Sequence, residues 1–215
     1  MKEEKTYIPI GINCSISHYL RSNKLRHQAF PFDWNITPIT TALSLINNKF
    51  ENFLNLQNLQ FLPPAKRLLF AEDGINLKST NDIITPVICH HYGILFPHDF
   101  SVAGIDDYTL VKDKYSRRIE NLMSLIEDEK NIVFIYHVER PNVWQLEQYR
   151  LSGEKFKVNS ELEIKNVFKS LNLKNVKLMS FDDLRWTRMH LTQRPKYLYN
   201  KFKRKVVSIK GKIGF

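Results

Sequence analysis

The chain is poor in cysteine, with Cys14 and Cys89 alone among 215 residues. Two cysteines make no disulfide framework, and they lack the paired spacing of a zinc site. No run of about 18 apolar residues occurs, so no segment is expected to span a membrane. The opening Met1–Lys5 is charged and carries no apolar stretch of the secretory kind. Glycine is also scarce, at seven residues. Gly11 stands alone where a dinucleotide fingerprint needs three, and no Gly-x-x-x-x-Gly-Lys run exists. Dehydrogenase and P-loop readings fall with those motifs, and no cofactor or metal is expected. Acid is missing from one place: residues 184–215 hold ten Lys and Arg and no Asp or Glu, whereas residues 1–183 hold 22 of each sign. The net charge of +10 therefore belongs to a C-terminal segment.

What remains is a composition of 43% hydrophobic, 12% aromatic and 25% charged residues, which suits a packed intracellular, cytoplasmic domain rather than disorder. Tyr7–Gly11 reads as a first strand, Ser15–Asn23 and Ile39–Asn48 as helices, and Phe30–Pro38 as an aromatic loop between them. Leu68–Phe70, Ile83–Ile88 and Tyr92–Phe96 read as strands, and 97–113 as a polar loop. Tyr115, Ile119, Leu122, Met123 and Ile126 predict a helix of about three turns. Ile132–Tyr136 and Val176–Met179 read as strands around a helix carrying Ile164, Val167, Phe168 and Leu171. Alternating helices and strands with short links predict an α/β domain with a mostly parallel central sheet flanked by helices. The expected organisation is a catalytic domain over 1–183 and a basic tail over 184–215.

The junction Gly11-Ile12-Asn13-Cys14-Ser15 is the sharpest local feature. Ligands gather outside the carboxyl ends of strands in open α/β sheets. A helix N-terminus there favours thiolate over thiol and offers amides to an oxyanion. These features make Cys14 a candidate nucleophile; the alternative is a small buried apolar residue. A thiol nucleophile needs a base, usually histidine, with an orienting partner. Among the seven histidines, His18 is one helical turn along and is expected to face away, and His190 falls in the tail. His90, His91, His98 and His137 lie near strand ends, and His98, followed by Asp99 in a loop, is the favoured base. Asp33 in the aromatic loop is a candidate orienting carboxylate.

Cys89, His90, His91 and His98 include metal-ligand types, but neighbouring strand residues point to opposite faces, so no metal site is expected. Arg117 and Arg118 stand at a predicted helix start where acids are preferred, an arrangement suited to a substrate carboxylate or phosphate. Gly11, Asn13, Trp34, Arg117 and Arg118 form the candidate substrate-binding set. In the tail, Leu198, Phe202, Val206 and Ile209 share a helical face among lysines. Such a helix fits an anionic membrane surface, at the inner membrane face, or an acidic partner. No motif for nucleic acid accompanies it.

The run Gly11–Trp34 resembles the opening of a bacterial and viral domain-of-unknown-function family described as putative papain-like cysteine peptidases. The matching residues are Gly11, Cys14, Leu20-Arg21, Leu25-Arg26 and Pro31-Phe32-Asp33-Trp34, followed by His98-Asp99-Phe100 and Arg117-Arg118. The resemblance implies Cys14 as nucleophile, His98 as base, and Asp33 or Asp99 as third member. It also implies a papain-like α+β fold as the alternative to the parallel sheet. The expected function is a cysteine-nucleophile enzyme, a peptidase or amidase or a related acyl-transfer hydrolase, acting on a small-molecule, peptide or acyl substrate. The alternatives are a thioester-dependent acyltransferase in glycan assembly, and a non-catalytic module associated with a membrane or polyanion.

Overall fold

The computed structural model describes residues 5–11, 14–70, 77–128, 130–138 and 141–189. Two compact units divide at Met179/Ser180. In the first, β1 (Thr6–Ile10) pairs parallel with β6 (Ile132–Tyr136), from Thr6 opposite Ile132 to Ile10 opposite Tyr136, and β7 (Val176–Ser180) lies on the other edge of β6. All five residues of β6 are buried, which explains its continuous apolar run.

The parallel arrangement stops at three strands. A separate antiparallel sheet holds β2 (Leu59–Phe61), β3 (Ala65–Phe70), β4 (Leu77–Cys89) and β5 (Ile94–Ser101). The expectation of a mostly parallel sheet thus holds for one sheet and fails for the other. The physical reason lies in the connections: β4 and β5 are joined by four residues, enough for a hairpin but not for a parallel crossover. One apolar core serves both sheets. Ile8, Ile10 and Phe134 meet Leu43 and Ile46 of α2 (Ile39–Asn47), Val87 and Phe96 of the antiparallel sheet, and Tyr115 and Leu122 of α3 (Tyr108–Glu127).

Two prolines shape the part of this sheet that matters for the site. Sequence reading ends the strand at Phe96 and begins a polar loop at Pro97, yet β5 continues to Ser101. The register steps from Val87 opposite Phe96 to Thr85 opposite Phe100, so Pro97, His98 and Asp99 stand against Pro86 alone. Neither proline has an N–H to give the ladder, and both fall where the ladder is already broken. Such a bulge re-aims the side chains it carries, here those of His98 and Asp99.

The helix start is likewise earlier than periodicity predicts. α3 spans 20 residues from Tyr108, because the buried Val111 continues the face of Tyr115 and Leu122 into the expected loop. Arg117 and Arg118 therefore lie inside the helix rather than at its opening. α4 (Val143–Ser152) was not anticipated; its buried residues are Gln145, Gln148 and Tyr149, so no apolar stripe announces it. Its ends are well specified, by a capping box between Asn142 and Gln145 and by Gly153 at φ 79°. α5 (Glu161–Ser170) also opens on a capping box, Ser160 with Glu163.

In the second unit the described residues form α6 (Phe181–Arg188), capped by the Ser180 hydroxyl, which accepts from the Asp183 N–H at 3.1 Å. Asp182 and Asp183 in the first turn and Arg185 and Arg188 in the last both suit the helix dipole. The amphipathic face expected over Leu198–Ile209, and His190, lie outside the described residues. No described helix is long and apolar enough to cross a membrane.

Candidate active site

β1 ends at Gly11, whose φ of 127° is a conformation that glycine tolerates and other residues do not. A Cβ there would come within 3.2 Å of Ile39 Cγ1, so the strand end also lies hard against α2. Cys14 then opens α1 (Ser15–Ser22) as its N-cap residue, with no side-chain cap hydrogen bond. It is half-buried. The main-chain N–H of His18 donates to the Cys14 carbonyl at 2.9 Å, so the two residues are i, i+4 neighbours on one helix face. Sequence reading sets His18 aside, although this spacing was the available signal for it. The loop residue Asn13 lies outside the described residues.

The aromatic loop is held by Asp33, which is fully buried. Its Oδ2 accepts from the Phe30 N–H at 2.8 Å and pairs with the Arg26 guanidinium. The Ser17 hydroxyl of α1 donates to the Asp33 main-chain oxygen at 2.8 Å. Asp33 therefore ties the loop to α1 and to the Leu-Arg repeat. Burial pushes its carboxyl up from the ordinary value, while Arg26, the Phe30 N–H and Arg118 pull it part of the way back.

Beyond Asp33 the loop joins the edge of β5. Ile36 and Leu95 exchange both main-chain hydrogen bonds, at 2.8 and 3.0 Å. This pairing sets Trp34 beside the bulge of β5. Its ring meets His98 edge-on at 6.2 Å and His18 edge-on at 5.1 Å, while the Arg26 guanidinium lies 5.6 Å from its centre. The predicted residues Trp34 and His98 are thus together, with His18 added.

Asp99 follows His98 but is engaged with α3. Its Oδ1 pairs with Lys114 Nζ at 2.6 Å and its Oδ2 accepts from the Tyr115 hydroxyl at 3.0 Å. Arg118 lies over the Tyr115 ring at 5.4 Å, and Arg117 is exposed one position away. At the other sheet edge the ladder of β1 and β6 ends with Ile10 opposite Tyr136, which brings the half-buried His137 level with Gly11. Cys89 is buried in the core, and His90 pairs through Nδ1 with Glu154 at 2.8 Å at the surface. Among the described residues no group of three His, Cys, Asp or Glu is placed to hold a metal ion.

The Cys14 thiol is pushed above its ordinary value rather than below it. Burial pushes it up, and a hydrogen bond with its own main chain pulls back only part of the way. Desolvation of the sulfur disfavours the anion and outweighs that hydrogen bond.

The family model described as "Putative papain-like cysteine peptidase" matches residues 5–183. The chain belongs to this family. The family region takes in β1, the Cys14 junction, the Asp33 loop, the His98 bulge and β7, and stops inside α6. No curated protein and no solved structure matches the chain.

Proposed function

We propose that the protein is a thiol enzyme in which Cys14 forms an acyl intermediate. The observation that supports this reading most is the contact series at the end of β1: Cys14 opens α1, His18 follows one turn on, and Trp34 joins His18 to His98. With its thiol held protonated, Cys14 needs a base at the moment of attack. An imidazole, His98 or His18, takes the thiol proton as Sγ bonds to the substrate carbonyl carbon. The oxyanion forms beside the amides that open α1. The same imidazole returns the proton to the departing amine or thiol as its bond to the carbonyl breaks. Water, or an acceptor hydroxyl or amine, then cleaves the thioester, with its proton passing to the imidazole and Sγ leaving as the thiol. Asp33 and Asp99 act as positioning residues, since both are committed to Arg26 and to Lys114 and Tyr115.

Peptidase and acyltransferase readings share the first half of this cycle. Incubating the protein with peptide amides and with acyl thioesters, followed by intact mass and peptide mapping, tests it. An acyl adduct on Cys14, removed by hydroxylamine and absent from Cys14→Ser, is the expected result. Adducts found only on other residues, or on none with either substrate class, would overturn it. His98→Ala and His18→Ala identify the base by which one stops adduct formation.

A further inference from the structure

The charges around Asp33 and Tyr115 do not balance. Two carboxylates, Asp33 and Asp99, face three cations: Arg26, Lys114 and Arg118. Asp33 is taken by Arg26, the Phe30 N–H and the loop geometry, and Asp99 by Lys114 and the Tyr115 hydroxyl. Arg118 is left over. Its Nη1 is buried and has no hydrogen-bond partner among the described residues, and its guanidinium carbon lies over the Tyr115 ring, 5.4 Å from the centroid. Arg118 acts electrostatically on Asp33 and Tyr115, so it sits inside this cluster and not on the far side of α3. An unmet buried guanidinium donor is costly and rare in native proteins. A guanidinium fork matches a carboxylate through paired donors.

We infer that Arg118, beside the Tyr115 ring, is the anchor for a substrate carboxylate. The excess is a single positive charge, which a carboxylate neutralises, whereas a phosphate near neutral pH brings about −1.5 to −2 and overshoots. The inference deepens the thiol-enzyme reading by giving its substrate a negatively charged group. The carboxylate is either the end of a peptide chain or an acidic side chain.

Thermal unfolding of the full chain at constant ionic strength tests this, because holding salt fixed removes the general effect of the basic C-terminal segment. The probes are N-acetylalanine for a terminal carboxylate, N-acetylaspartate α-amide for a side-chain carboxylate, and N-acetylalanine amide as the neutral control. At least one carboxylate probe should raise Tm in a saturable way, and the neutral amide should not. Arg118→Gln should weaken that probe by at least about tenfold, as loss of a charge-assisted hydrogen bond implies. Arg117→Gln, altered one position away on the exposed face, should respond like wild type. If Arg118→Gln does not fold, Arg118→Lys keeps the charge, loses the fork and should show the weakening. No response to either carboxylate, or an unchanged response in the Arg118 variant that folds, would overturn the inference. Cys14→Ser should respond like wild type, so failure of the thiol chemistry and failure of the anchor give different results.

Discussion

Replacing Asp33 with alanine should unfasten the aromatic loop, and the loss can be worked from its contacts. The change removes the acceptor of the Phe30 N–H and the partner of Arg26, whose side chain is 11% exposed. An orphaned buried N–H costs about 1–3 kcal/mol. Breaking a largely buried ion pair from one side costs about 3–5 kcal/mol. Both partners use the same Oδ2, so the two losses overlap rather than add. The Ser17 hydroxyl keeps its bond, because it goes to the main-chain oxygen. The expected total is about 3–5 kcal/mol, a large share of the 5–15 kcal/mol that a domain has. Urea unfolding followed by tryptophan fluorescence would show it, with a midpoint lowered by about 2 M for a slope of about 2 kcal/mol/M. Asp33→Asn keeps an acceptor for the Phe30 N–H but leaves Arg26 without its counter-charge, so it should cost less than the alanine by roughly the 1–3 kcal/mol of the orphaned N–H. A loss below about 1 kcal/mol for Asp33→Ala, or an asparagine as damaging as the alanine, would refute the account of the loop.

Two further outcomes follow from the same region. Because burial raises the Asp33 carboxyl, the folded chain holds that proton more tightly than the unfolded chain. Its contribution is greatest below the unfolded value of about 3.9 and is lost as pH rises through the folded one. Wild type should therefore gain stability relative to Asp33→Asn as pH falls from 7 toward 4, and a gain in the opposite direction contradicts the assignment. Gly11→Ala meets both an unfavourable φ and Ile39 Cγ1 at 3.2 Å, so it should lower unfolding free energy by about 1–3 kcal/mol; a neutral result in urea titration would count against the strand end described here.

Local chemistry was legible in this sequence where a residue type can do only one thing. The buried strand Ile132–Tyr136, the periodic face from Tyr115, the strand end at Gly11 and the helix opening at Cys14 all carry their structure in a few residues. The sheet was not legible, because pairing direction depends on connection length and on which hairpins close, and neither is a local property of residues 59–101. The strand runs past Phe96 for a related reason: Pro97 falls where the facing ladder steps at Pro86, so pairing resumes at Phe100. α4 was hidden by its buried glutamines, with only its two caps to betray it. Among the candidate residues, His98 and Trp34 were proposed from a strand end and an aromatic motif and lie in contact, whereas His18 joins them only through the ring packing of Trp34.

The most direct measurement of the central claim is the pH dependence of Cys14 alkylation by iodoacetamide in native protein, resolved from Cys89 by peptide mapping. The account predicts slow labelling near pH 7, rising only above the ordinary thiol value of about 8.5, together with adduct formation on Cys14 from a bound acyl substrate at neutral pH. Rapid labelling on a plateau below pH 7 would show a resting thiolate and contradict the protonated thiol. Neutral-pH acylation that survives both His18→Ala and His98→Ala would contradict the base.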